Sequence, residues 1–396
     1  MISITYSFPY IAVFLFLCMC AIPATTGKNR FVNTFGQKYA LFAALTVFVG
    51  LRGFIYSDWR NYYPFYISIP TLFDGKDFIV HFLAKSSLGS FEKGFILFSI
   101  LIKTISDNYF FYQFVLYLID FIVLHAFFKT YIPDEILLGF VFFYVFNGVI
   151  GYGISINLLR NAKGLLLFLI SLPYLQKRKM VAYFLLNGVG MLFHISSVFY
   201  IPLYFVLRKR LNHSFYIFIF IIGNIVYLLQ IHFLSGVLKS VSSIAFGHTA
   251  KLLDRYIGNE KWNSSYGISI GYLERVFTYI LILYFSKRLY KKESNIILVN
   301  CLYLYILSYL YFSEMRIFTD RLPLLFAFAY WVIYPQIYSF LSKDRKVAFW
   351  GIFVLYTVLK IAIGTNSIEH LYDNALFLKY SFQERSAAKL NIVNFK

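Results

Sequence analysis

KRKMVAYFLLNGVGMLFHISSVFYIPLYFVLRKR, residues 177–210, sets 28 residues free of Asp, Glu, Lys and Arg between two basic triplets. About 20 apolar residues are enough to cross the hydrocarbon of a bilayer as a helix. Loops rich in Lys and Arg stay in the cytoplasm. A single crossing by residues 180–207 would leave one triplet outside. Two short, tilted passes with a break near His194 keep both triplets inside, so this run is expected to be a helical hairpin in a membrane.

The rest of the chain follows the same pattern. Of 396 residues, 60% are hydrophobic and 14% charged, whereas a soluble domain is about a quarter charged. The net charge is +19. Much of it falls in short clusters between apolar runs, such as Lys287-Arg288 and Lys343 with Arg345-Lys346. That distribution fits cytoplasmic loops and excludes nucleic acid as a partner. Cys18, Cys20 and Cys301 lie in apolar runs with no disulfide or zinc spacing. The first run, Tyr6 to Ala24, lacks a basic n-region and is expected to be a span rather than a signal peptide.

Spans are expected near residues 5–25, 39–55, 109–128, 136–152, 158–175, 214–234, 268–286, 295–312, 322–341 and 347–364, besides the hairpin. The loop with Lys28, Arg30 and Lys38 is then cytoplasmic, and residues 57–108, 235–267 and 313–321 are external. Gly94 to Ile105 is apolar but short; about 12 helical residues reach about 18 Å, too little for a crossing. It is expected to be an interfacial or re-entrant helix. The fold class is therefore all-α: one polytopic membrane domain of about 12 transmembrane helices, with an interfacial helix in the first external loop and a polar, external tail from Thr365.

Candidate chemistry gathers at the outer face. The first cluster runs from Arg52 through Asp58, Trp59, Arg60 and Asn61 to Tyr62 and Tyr63. Arg offers planar donors to phosphate. Asp accepts from sugar hydroxyls or serves as a general base. Tyr62 presents a face to a sugar ring, while Trp59, Tyr63 and Tyr66 fit an interface belt. The second cluster is Arg160-Asn161-Ala162-Lys163. An arginine inside a span normally faces a cavity or a partner, whereas Lys163 is near enough to the end to snorkel. His194 sits at the expected break. The third cluster is Glu314-Met-Arg316-Ile-Phe-Thr-Asp320-Arg321, where two arginines can grip a pyrophosphate with Arg160, or Arg321 can simply pair with Asp320. Glu274-Arg275 reads as an ion pair at a helix end, and Asp74 and Asp77 as a turn. No HExxH or similar metal motif occurs.

Arg52, Asp58 and Tyr62, then Glu92, Arg160-Asn161, Tyr174-Leu175 with Arg178-Lys179, Phe193-His194-Ile195-Ser196 and Arg316 stand in an order that resembles the EpsG-like family of bacterial exopolysaccharide polymerases, related to the Wzy O-antigen polymerases. The resemblance covers about residues 50–320. Tyr56 stands where that family usually has Gly, and Asn161 where it usually has Gln.

The resemblance implies an enzyme of the bacterial inner membrane whose site faces the periplasm. It would join undecaprenyl-pyrophosphate-linked oligosaccharide units into exopolysaccharide, capsule or O-antigen, without metal or cofactor. Its partners would be those lipid-linked glycans, the bilayer and a chain-length regulator. Arg160 and Arg316, with Arg321, would take the pyrophosphate, and Asp58 and His194 are rival bases. Arg52 would bind phosphate or orient Asp58. Rival functions are a lipid-linked oligosaccharide flippase or transporter, another polyprenyl-dependent glycosyltransferase or glycan ligase, and an inactive scaffold. A transporter expects charge near the midplane and paired halves, but the charges gather at one face and no internal repeat appears.

Overall fold

A computed structural model describes residues 5–26, 30–85, 91–146, 153–244 and 267–393. Lys28, the end of the expected span at 136–152 and most of the expected loop at 235–267 lie outside the described residues. The described residues are helical, without a strand; one isolated bridge pairs Arg52 with Asn374. The chain forms two compact units, Met1–Tyr204 with Tyr334–Lys396, and Phe205–Ile333.

The first unit begins with α1 (Phe8–Thr26), α2 (Arg30–Leu45), α3 (Trp59–Ser68), α4 (Lys76–Lys85) and α5 (Lys93–Ile105). It continues through α6 (Tyr109–Tyr131), α7 (Ile136–Val145), α8 (Gly153–Asn157), α9 (Leu159–Gln176), α10 (Met180–Phe193) and the start of α11 (Leu203–Val206). In the second unit lie α12 (His213–Leu228), α13 (Leu234–Ile244), α14 (Ile270–Leu289), α15 (Ser294–Tyr311), α16 (Arg316–Arg321) and the start of α17 (Phe328–Ser339). The chain ends in the first unit with α18 (Lys343–Gly364) and α19 (Phe382–Val393).

Among the described residues α6, α15 and α18 are each long and apolar enough to cross a bilayer. The 23 residues of α6 extend about 35 Å at 1.5 Å per residue, beyond a ~30 Å hydrocarbon core. Its start is set by Asn108, whose side-chain oxygen accepts from the Phe110 and Phe111 backbone N–H groups at 2.8 and 3.1 Å. That satisfies two of the donors a helix N-terminus leaves open.

The run at residues 180–207 turns back on itself. Helix α10 stops at Phe193, and His194 is extended at φ −158°, ψ 129°. A 3₁₀ turn, Ile195–Tyr200, leads to α11. Tyr183 donates to the Tyr200 carbonyl at 2.5 Å and Tyr204 to the Arg178 carbonyl at 3.1 Å, so the return leg ends beside the basic turn from which the outgoing leg began.

Residues 57–108 hold α3 and α4 besides the short helix expected at Gly94 to Ile105, which is α5. One expectation needs correction. Lys163 does not snorkel. It is buried and pairs with Asp120 of α6, also donating to the Leu116 carbonyl at 3.1 Å. A buried ammonium is tolerable only with such partners.

The tail from Thr365 is tied to the chain around Arg52. It straps residues 47–60 by backbone hydrogen bonds: Gly53 N–H to Asp373 O at 2.8 Å, Ala375 N–H to Leu51 O at 2.7 Å, and Tyr56 N–H to Glu369 O at 2.8 Å. Arg385 of α19 closes the strap by donating to the Phe54, Ile368 and Leu371 carbonyls. Phe382 stacks on Tyr63 at 4.6 Å.

In the second unit tyrosine pairs hold the helices. Tyr216 stacks on Tyr303 at 4.1 Å and Tyr227 on Tyr272 at 4.5 Å. Arg275 lies over the Tyr309 ring at 3.9 Å and donates to the Tyr305 hydroxyl at 2.8 Å. Aromatic rings thus help to hold its guanidinium.

Candidate functional site

The first unit contains a cavity of about 630 Å³ whose lining includes Asp58, Arg60, Asn61, Tyr62 and Arg160 together with Phe65, Phe82, Phe91 and Ile96. Four stretches of chain line it, and three of them are placed by an identifiable contact.

The first is the start of α3. Asp58 is its N-cap residue. The Asn157 side-chain oxygen, at the end of α8, accepts from the Asp58 backbone N–H at 2.9 Å and from the Ser57 N–H and hydroxyl at 3.2 Å each. The Ser57 hydroxyl also reaches Asp58 Oδ1 at 3.2 Å. Asn157 stands three residues before Arg160, so one amide fixes the carboxylate-bearing turn to the arginine-bearing one.

The second is Arg160 in the first turn of α9. Its guanidinium pairs with Glu92 at 2.6 Å and lies over the Phe91 ring at 4.7 Å. It also hydrogen-bonds the Tyr62 phenol. Burial pushes the Tyr62 hydroxyl above its ordinary pKa despite the nearby Arg160, so it stays protonated. The Arg160 and Glu92 side chains are 23% and 22% exposed, and Arg160 lines the cavity.

The third is the residue pair before α5. Glu92 Oε1 accepts from the Ile195 backbone N–H at 3.2 Å. The approach of α5 to α10 that permits this depends on Gly94, where a Cβ would sit 2.6 Å from the Leu192 Cβ. Any side chain there forces the helices apart.

Asp58, Tyr62 and Arg160, singled out from sequence, therefore share one cavity. Arg52 does not line it. Its side chain is turned inward at 3% exposure, donating to the Val49 carbonyl at 2.7 Å. His194 is also absent from the lining. Its Nδ1 accepts from the Ser196 backbone N–H at 3.2 Å and meets the Ser196 hydroxyl at 2.7 Å, capping the 3₁₀ turn. Arg316 and Arg321 lie exposed in the second unit, and it is Arg316 rather than Arg321 that pairs with Asp320, at 3.5 Å.

Beside Arg316, Glu314 is buried and accepts from the Leu234 and Ser235 backbone N–H groups at the start of α13. Burial raises its pKa, but the hydrogen bonds from Ser235 and Leu234 outweigh it and hold the carboxyl below the ordinary range.

Sequence reasoning passed over Asn157 and Phe91 as site residues. Asn157 carries no charge and belongs to no pattern, and only its partners 99 and 100 residues away reveal it. Tyr56, at the position where glycine was expected, has φ +67°. Glycine takes this left-handed conformation without steric cost. Here buried ring packing on His370, 5.0 Å between centroids, accompanies the strain.

No curated protein and no solved structure matches the chain. The family model of the EpsG family matches residues 37–382, spanning the cavity, the hairpin and the strap. Most of the sequence is covered by that match, and the chain belongs to the EpsG family.

Proposed function

We propose that this protein is a polysaccharide polymerase. It joins oligosaccharide repeat units carried on undecaprenyl pyrophosphate, at the outer face of the bacterial inner membrane, with about twelve crossings of the bilayer. The observation that carries the proposal is the mixed lining of the cavity, where guanidinium, carboxylate and amide groups stand among aromatic and aliphatic side chains. An amphiphile with an anionic head and sugar hydroxyls fits such a lining.

The chemistry follows from the groups present. Asp58 accepts the proton of the acceptor sugar hydroxyl. That oxygen attacks the anomeric carbon of the donor glycan, and the bond from this carbon to the pyrophosphate oxygen breaks. The growing glycan passes to the acceptor unit, and undecaprenyl pyrophosphate leaves with the bond's electron pair. Arg160, with Arg60 beside it, stabilises the charge that develops on the leaving oxygen. Asp58 is preferred to His194 as base because it faces the cavity and the His194 Nδ1 is committed to a cap. Glu92 holds the Arg160 guanidinium in position for the pyrophosphate. Arg316 and Arg321 are offered as further anion-binding residues of the second unit.

Deletion of the gene, followed by gel analysis of lipid-linked and surface glycan, tests the proposal. Single repeat units on the carrier are the expected result. Full-length polymer held on its carrier would indicate a ligase, and units trapped in the cytoplasm a flippase.

A further inference from the structure

A second cavity, of about 430 Å³, lies between the C-terminal halves of α6 and α9, away from the site above. Ile122, Ala126 and Ile170 form its apolar wall, and Tyr174, Lys177 and Lys179 stand at one end. Ile122 and Ile170 are 57% and 39% exposed.

The basic end is built by the turn that closes α9. The Lys177 N–H reaches the Pro173 carbonyl at 3.1 Å and the Lys179 N–H the Tyr174 carbonyl at 2.8 Å. Arg178 between them is left-handed at φ +58°, a conformation disfavoured for a residue with a Cβ. The Arg178 carbonyl is tied down by the Tyr204 hydroxyl at 3.1 Å. Both lysines that flank the strained residue line the groove.

We propose that this groove binds an anionic glycerophospholipid, with its phosphate between Lys177 and Lys179 and one acyl chain along Ile122, Ala126 and Ile170. Basic pockets between membrane helices on the cytoplasmic side bind anionic headgroups, and the basic turn belongs on that side by its charge. The apolar wall distinguishes a whole lipid from a free phosphate. The groove thus gives a role to the Tyr174-Leu175 and Arg178-Lys179 motif, which the catalytic cavity leaves unused.

The test is native mass spectrometry of the purified, delipidated full chain with phosphatidylglycerol, phosphatidylcholine, undecaprenyl phosphate or inorganic phosphate. One retained phosphatidylglycerol is expected, displaced by none of the other three at equal concentration. Lys177→Ala with Lys179→Ala lowers its retention at least tenfold, and so does Ala126→Trp, which fills the groove and keeps the charges. Lys291→Ala with Lys292→Ala, at another basic cluster, leaves it unchanged. Equal retention of phosphatidylcholine by the unaltered protein, or displacement by undecaprenyl phosphate, overturns the proposal. So does unchanged phosphatidylglycerol binding in the groove variants. If those variants do not fold, the competition on the unaltered protein decides.

Discussion

Arg160 Nη1 lies 2.6 Å from Glu92 Oε2, while Glu92 Oε1 accepts from the Ile195 backbone N–H at 3.2 Å. One carboxylate therefore joins Arg160 to the break in the hairpin. The two roles separate by mutation. Arg160→Ala removes the guanidinium and is expected to lower polymer formation about 100-fold or more, as loss of a donor aimed at developing charge does. Glu92→Gln keeps a hydrogen-bond acceptor and is expected to cost about tenfold. Glycan chain length on gels, at matched protein levels, measures both.

Asn157 is expected to be a positioning residue for Asp58. Asn157→Ala releases the Ser57–Asp58 turn, and small displacements of a catalytic group cost up to about 100-fold. Asn157→Asp retains the acceptor for the Asp58 and Ser57 N–H groups but adds a negative charge beside Asp58. A like charge raises a carboxyl pKa, by about one unit at this range. The base must be ionised to act, so the acid limb of the pH–activity profile moves upward by that amount, and activity recovers at higher pH. An unshifted profile in an active Asn157→Asp enzyme contradicts this role.

The Asp120–Lys163 pair joins α6 to α9 and is fully enclosed. Lys163→Met leaves a buried carboxylate without its partner, and such broken pairs cost about 3–5 kcal/mol. Asp120→Leu added to Lys163→Met is expected to recover most of that loss, since an apolar replacement of both charges is often neutral. Thermal unfolding in detergent reads the difference. Equal stability of the single and double variants would rule the coupling out.

Tyr56 sets a backbone cost against a packing gain. Removing a buried aromatic ring costs about 3 kcal/mol, and relieving a left-handed non-glycine residue returns about 1 kcal/mol. Tyr56→Gly is therefore expected to lose about 2 kcal/mol net, although glycine suits the φ of +67° better. A stabilised Tyr56→Gly protein would show that strain outweighs the His370 contact.

The hairpin was legible in sequence because its evidence is local: an apolar run too long for one pass, between basic triplets. The break at His194 follows from charge and length alone. Asp58, Tyr62 and Arg160 could be singled out because charged or paired polar groups beside apolar runs are costly. Their convergence could not, because it depends on Asn157 and on the Gly94–Leu192 approach, neither of which has a charge or a period. The pairing of Lys163 with Asp120 was hidden for a different reason. A lysine near a helix end reads equally well as snorkelling, and its partner is 43 residues away. The C-terminal strap was least legible: Arg385 meets the Phe54 carbonyl across 331 residues, and its polar composition resembles that of a free tail.

The most direct measurement uses purified protein in lipid nanodiscs, supplied with lipid-linked repeat units extracted from cells that lack the gene. The unaltered chain is expected to convert them to a ladder of longer glycans, with one undecaprenyl pyrophosphate released per linkage. Asp58→Asn and Arg160→Ala proteins are expected to form neither product. A ladder of normal length from either variant would contradict the assignment of the reaction to this cavity.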